Sequence, residues 1–460
     1  MKEGSEMART RDLTEGKPIR LILSFFIPTM LGFLFQQLYN IADTAIVGRT
    51  LGAEMLGAVG CTWSLNFLVL GFCMGSCSGF AIPLAQRFGA HDPSGLRKYL
   101  YNAVWICLFL AGTLTLVTAV ACPGMLRLMN TPKDIFDAAN SYLRVIFIGM
   151  PATMLYNMCC CVLRSLGDSR TPVFFLVLAS LINVALDFIT ILVFHMGVEG
   201  AAVATVVSQL ISGIGCLLVL MNKFPILKGT PEERKFDPAV AKRLVAIGFP
   251  MGLQFSITAI GTLVTQFAVN DLGTSAVSAL SAGNRVGNIF TCAFDALAST
   301  ITTFAGQNIG ARKPKRVGEG VRAASILGIV YSLITLAVLW LFAPVFVSVF
   351  IDIGEYSEVA DMACYFLRLN SCFYIALMFV NVLRLAIQGM GYTSVAMLAG
   401  LFETVARILV SLFLVPVLGF TGVCMAHPAA WVMACVFLFP CFFSKLRKEK
   451  ERCAVLQKTA

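Results

Sequence analysis

Apolar residues fall in long unbroken runs along this chain, separated by short polar intervals. Within a run the apolar positions are continuous, so the strands of a membrane barrel, which alternate, are excluded. Runs of roughly 20 residues are long enough to cross a bilayer as helices. In lipid the backbone must satisfy its own hydrogen bonds, and a helix does so. The pattern predicts twelve spans, at about 19–45, 53–84, 99–121, 136–160, 172–194, 201–221, 242–268, 276–305, 321–343, 359–386, 394–415 and 422–444. The expected fold is an all-α polytopic membrane protein with 12 transmembrane helices.

The pattern also repeats. "QRFGAHDP" at 86–93 matches "QNIGARKP" at 307–314, pairing Gln86, Gly89, Ala90 and Pro93 with Gln307, Gly310, Ala311 and Pro314. Leu51–Gly52 pairs with Leu272–Gly273 and Ala58 with Ala279 at the same spacing, and Pro28 with Pro250 at nearly that spacing. "YLR" at 142–144 returns as "FLR" at 366–368, and Gly167 as Gly391. Each half holds six spans, and an even number leaves both halves in one orientation. The expected architecture is two six-helix bundles related by an axis along the membrane normal. The boundaries read as a tail at 1–18, a first bundle at 19–221, a linker at 222–241, a second bundle at 242–444 and a tail at 445–460. Asp237–Pro238 reads as a helix start, with the acid as cap and the proline in the first helical position. Gly71, Gly75 and Gly79 form a smooth face that lets another helix come close.

Composition sharpens this class without changing it. The chain of 460 residues is 58% hydrophobic and only 13% charged, a balance foreign to soluble domains. Charge then sets orientation. The N-terminal tail, "RFGAHDPSGLRK", "RSLGDSRTP", "NKFPILKGTPEERKFDP", "GARKPKR" and "KLRKEKER" together carry 22 Lys and Arg, and the intervening loops about three. Cytoplasmic loops are the basic ones, so both termini are expected in the cytoplasm and the chain in the plasma (inner) membrane. Orientation also accounts for the net charge of +10, and no nucleic-acid partner is expected. The first 18 residues lack the basic start and short apolar core of a secretory signal, so the first span is expected to be retained. Most of the sixteen cysteines lie inside apolar runs, where cysteine acts as a small hydrophobe. No zinc-ligand spacing occurs among them.

The residues that interrupt the runs are the candidates for chemistry. "QQLYNIADTAIVG" at 36–48 places Asp43 at the end of the first run, with Gln36, Tyr39 and Asn40 just before it. A carboxylate or guanidinium at the bilayer centre costs roughly 2.5–3.5 kcal/mol on insertion scales, so such a group faces the protein interior or a wet cavity. The orientation above puts Asp43, Asp187 and Thr205 in the outer half of the membrane. Asn183 and Asp187 lie four residues apart on one helix face, and Gln36, Asn40 and Asp43 share a face of the first span. Two carboxylates, amides and a hydroxyl at one depth suit a small monovalent cation. Sodium takes oxygen ligands, and a proton needs only a carboxylate that burial keeps from ionising. Plainer roles remain open: a solvated helix end for Asp43, a packing role for Asp187, and a bond to its own helix for Thr205. In the second half Asp295 and Glu403 fall in the inner half, with Arg407 placed to neutralise either one. Glu403 and Arg407 have the i,i+4 spacing of an ion pair, which a structural role also explains. His427 and His195 read as packing and loop residues.

Enzymatic signatures are missing. There is no phosphate-binding G-x-x-x-x-G-K-[ST] and no H-E-x-x-H, and no nucleophile elbow. No cofactor is expected, and the chain does not read as an enzyme. "YNIADTAIVGRTLG", "QRFGA", "RSLGDSRTP", "NVALDF" and "GVEGAAVATVVSQ", in that order, resemble the multidrug and toxic compound extrusion (MATE) family, as do "GQNIGARKPKRV" and "IQGMGYTS". The resemblance covers about residues 15–445. It implies two six-helix bundles forming a V around a central cavity. It implies export of hydrophobic, mostly cationic organic compounds by antiport coupled to Na⁺ or H⁺, by a chain expected to be a monomer among membrane lipids. It maps the family's cation site onto Asp43, Asn183, Asp187 and Thr205, with Na⁺ as one possible occupant. Some members carry a carboxylate on the seventh span where this chain has Gln254. Attention in the second half therefore moves to Asp295, Glu403 and Arg407 with Gln254 beside them, and Gln36, Tyr39, Asn40 and Asn288 become candidates for lining the substrate cavity. The alternative is a flippase for a lipid-linked precursor in the same broad superfamily. Anionic substrates of that kind would call for a strongly basic cavity, and twelve spans in place of fourteen also count against it.

Overall fold

The computed structural model describes residues 12–129, 131–351 and 357–459. Among these there is no strand. The helices are α1 (Pro18–Gly52), α2 (Gly57–Gly89), α3 (Pro93–Leu128), α4 (Lys133–Ile148), α5 (Met150–Ser165), α6 (Arg170–Phe188) and α7 (Val198–Lys223). The second half follows with α8 (Pro238–Asn270), α9 (Thr274–Gly310), α10 (Pro314–Val347), α11 (Ser357–Ser371), α12 (Tyr374–Gly389), α13 (Thr393–Leu409), α14 (Val415–Leu418) and α15 (Phe420–Thr459). α4 and α5 meet at a bend of 49° and α11 and α12 at 53°. Counted as one broken span each, these pairs complete the twelve expected spans.

The repeat is visible in the backbone itself. Left-handed residues of the first half, Gly52, His91, Gly167 and Gly197, are matched by Gly273, Arg312, Gly391 and Gly419 in the second. α6 continues into one π-helical turn, Ile189–Val193, and α13 into another, Val410–Leu414. Such turns widen a helix locally and recur at functional sites. The intervals were expected to be loops, and two are helical instead. The run through "GRTLGAE" stays helical apart from a break at Gly52, whose φ of 88° suits a residue without Cβ. The basic tail "KLRKEKER" continues α15.

By contacts the chain divides into two compact units, and the expected boundaries need correction. One unit is built from Leu31–Phe255, and the other from Thr14–Met30 with Ser256 onward. The linker at 222–241 and the start of α8 thus belong to the first unit, not to a separate segment and a second bundle. The cause is close packing on the glycine face of α2. A Cβ on Gly79 would lie 2.5 Å from Gly248 Cα, and one on Gly75 would lie 2.6 Å from the Met251 carbonyl. The linker is pinned to α3. Arg97 makes two bonds to Glu233, at 2.7 and 2.9 Å, and Trp105 Nε1 donates to the Arg234 carbonyl. Asp237 caps α8 as expected, accepting from Ala239 N at 2.9 Å. In the second unit, Lys313 and Arg316 donate to the carbonyls of Thr14 and Gly16 and hold the chain just before α1.

Candidate functional site

Four helices of the first unit deliver polar groups to one place. α1 supplies Tyr39 and Asp43, α6 supplies Asn183 and Asp187, α7 supplies Thr205, and α4 supplies Tyr142. The local sequence makes this convergence possible. "GVEGAAVAT" opens α7 with small residues, and Gly200 lets α7 approach the π turn until a Cβ there would meet Thr190 at 3.0 Å. Thr190 turns its own hydroxyl back to the Leu186 carbonyl, 2.9 Å away. Asp187 stands two residues before that π turn and is fully buried.

Asn183 is the hub. Its amide lies 2.5 Å from Tyr39 Oη, 3.2 Å from Thr205 Oγ1 and 3.0 Å from Asp187 Oδ2. The orientation that satisfies all three partners points its nitrogen at Tyr39 and Asp187 and its oxygen at Thr205. The Asp43 and Asp187 carboxyl groups come within hydrogen-bonding reach of each other. One oxygen of each, Oδ1, is buried without a partner. Two ionised carboxylates side by side in apolar surroundings repel and lack solvation, so the pair calls for a proton or a cation between them. Among the described residues no group of three or more His, Cys, Asp or Glu could hold a metal ion. A sodium ion would have to draw its oxygens from Asp43, Asp187, Asn183 and Thr205, and the Asn183 oxygen is already turned to Thr205.

All four residues expected to form the cation site therefore meet. Tyr39, expected at the substrate cavity, belongs to this cluster. Gln36 is half-buried and Asn40 exposed, and neither joins it. Tyr142 was not singled out by sequence reasoning.

The second unit has its own polar centre, a cavity of about 230 Å³. Asn288 and Asp295 of α9, Arg384 of α12, Glu403 and Arg407 of α13 and Trp431 of α15 line it. Glu403 forms ion pairs with Arg384 and, at 3.7 Å, with Arg407. Asp295, Glu403, Arg407 and Asn288 are thus brought together. Gln254 is not with them, because α8 as far as Phe255 packs in the first unit. Arg384 was missed, although an arginine inside "FVNVLRLAIQG" is itself a signal.

Twelve helical spans in two similar halves, each enclosing a polar cluster, define a polytopic membrane transporter. The chain belongs to the MatE family, whose model matches residues 28–189 and 250–413, one segment in each half. It is a multi-pass membrane transporter and not an enzyme. It is similar to the probable multidrug resistance protein YpnP of Bacillus subtilis, with 31% identity over 74% of this chain and 76% of that protein. It is similar to the FAD transporter of Shewanella oneidensis, with 24% identity over 77% and 78%. Among solved structures, an outward-facing multidrug resistance MATE transporter of the MOP superfamily superposes with a TM-score of 0.89, at 23% identity and coverage of 95% and 98%.

Proposed function

We propose that this transporter exports lipophilic organic compounds, mostly cations, in exchange for protons taken up at the Asp43–Asp187 pair. The observation that carries the reading is the meeting of those two carboxyl groups, each with a buried oxygen that has no hydrogen-bond partner. A proton needs only the facing carboxyl groups, whereas a sodium ion would also need Asn183 to turn its oxygen away from Thr205. The basic intervals support placing both termini on the cytoplasmic side of the plasma membrane.

Energetics make one proton sufficient. A charge moving through 100 mV releases roughly 2.3 kcal/mol, and each tenfold gradient costs about 1.4 kcal/mol. One proton then sustains roughly a fortyfold gradient of a neutral substrate. Exchange of one proton for one monovalent cation moves no net charge, and the pH gradient alone drives it. The test is efflux of an ethidium-like dye from proteoliposomes under separately imposed pH, Na⁺ and voltage gradients. The pH gradient should drive efflux, and Asp43→Asn and Asp187→Asn should abolish it with expression retained. Full efflux in both variants, or drive by Na⁺ alone, would overturn the proton reading.

A further inference from the structure

The cavity of the second unit has a chemistry unlike that of the acid pair. At its deep end one carboxylate, Glu403, serves two guanidinium groups, Arg384 and Arg407, and all three side chains are more than nine-tenths buried. Arg384 Nε and both Nε and NH1 of Arg407 are buried with no hydrogen-bond partner. A buried donor left without an acceptor is costly, and here the unpartnered donors sit on groups that line an open space. The deep end holds one positive charge in excess. The remaining acid, Asp295, is exposed, as is Asn288, so these two mark the open side of the cavity. Buried aromatic rings of Phe366, Tyr374 and Trp431 complete the wall.

We propose that this cavity binds the carboxylate of a small organic acid, with Arg407 as its anchoring cation. A single excess positive charge selects a monoanion. Asp295 at the opening disfavours a second negative charge, which argues against a phosphate dianion. The aromatic wall accepts an apolar or aromatic body, and a cavity of about 230 Å³ is below the usual 300–1,000 Å³ of drug-sized pockets, so the body is small. The inference goes beyond the proton-coupled export proposed above and is independent of it, because binding needs no gradient and none of these residues belongs to the acid pair.

The probe is sodium benzoate, titrated calorimetrically into the full-length protein in nanodiscs, with neutral benzamide and with chloride as comparisons. Benzoate should bind saturably, benzamide at least tenfold more weakly, and chloride should fail to displace benzoate at equal concentration. Arg407→Gln should weaken benzoate at least tenfold. Asp295→Asn should tighten it severalfold, a direction that structural damage does not produce. Asp43→Asn should bind benzoate as the unaltered chain does while losing efflux, which separates the two proposals. Absence of saturable benzoate binding in the millimolar range, equal binding of benzamide, equal displacement by chloride, or weakening in Asp295→Asn would each overturn the proposal. Should Arg407→Gln fail to fold, the benzamide comparison and Asp295→Asn decide.

Discussion

Removing the hydroxyl of Tyr39 isolates one contact of the acid cluster. Tyr39→Phe keeps the ring and both carboxyl groups but deprives the Asn183 amide of its 2.5 Å partner. A neutral hydrogen bond is worth about 0.5–1.5 kcal/mol, so pH-driven efflux should fall roughly two- to tenfold without being lost, as initial dye-efflux rates would show. Glu403→Ala acts on stability. It leaves two buried guanidinium groups without their shared acid, a loss of about 3–5 kcal/mol, visible as a large drop in Tm by fluorescence-detected size exclusion. The residues behind the first prediction were largely legible in the sequence. Asp43, Asn183, Asp187 and Thr205 could be placed at one depth from span order and loop charge, and spacing put Asn183 and Asp187 on one face. Tyr142 could not, because a tyrosine inside a span carries no depth or charge signal until packing brings it beside the acids. Arg384 was hidden by the assumption of a straight helix. Read as one span over 359–386, it falls near a cytoplasmic end, where an arginine needs no partner. In the fold Arg384 is instead buried and paired with Glu403.

Helices pack where small residues allow, and the four-residue spacing of Gly71, Gly75 and Gly79 announced a contact face without naming its partner. That partner is the start of α8, with Gly248 and Gly252 meeting it from the other side. Gly79→Leu places a side chain where even a Cβ would lie 2.5 Å from backbone. Overpacking of this kind costs about 1–3 kcal/mol, so its midpoint in thermal aggregation should fall below that of an exposed-face control such as Gly112→Leu, where a Cβ meets nothing within 4 Å. A second prediction concerns the linker. Arg97 holds the Glu233 carboxyl down to about 2, against about 4.3 for a glutamate in an unfolded chain. A depressed carboxyl stabilises the fold above its unfolded value and ceases to do so as pH falls through its folded one. Glu233→Gln should therefore be less stable than the unaltered chain at neutral pH. The difference should shrink between about pH 4.3 and 2 and vanish below that, as paired acid-unfolding curves would show.

The duplication was legible because its turns are written in glycine, proline and charge, which local conformation and the membrane surface dictate. Twelve spans and their pairing follow from those alone. The polar centres diverged, with acids in one half and an arginine-rich cluster in the other, so similarity of scaffold did not extend to similarity of chemistry. The division into units was not legible, since contiguous stretches of sequence are the natural guess and the chain does not follow it. Thr14–Met30 packs with the second unit and Pro238–Phe255 with the first. Two fragments cut in the linker at the exposed Pro231–Glu232 should each fail to fold alone and should recover stability and efflux when co-expressed, as size exclusion and dye efflux would report. The same arrangement has a meaning in time. Thr14–Met30 is among the first parts of the protein to leave the ribosome, yet most of its partners lie beyond Ser256. At about 5–20 residues per second, the wait is roughly 10–45 s. For that interval the start of α1 stands in the bilayer without the later segments that complete its unit. A nascent chain stalled before Ser256 therefore presents an orphaned first helix, a ready mark by which membrane quality control can tell an unfinished copy from a finished one.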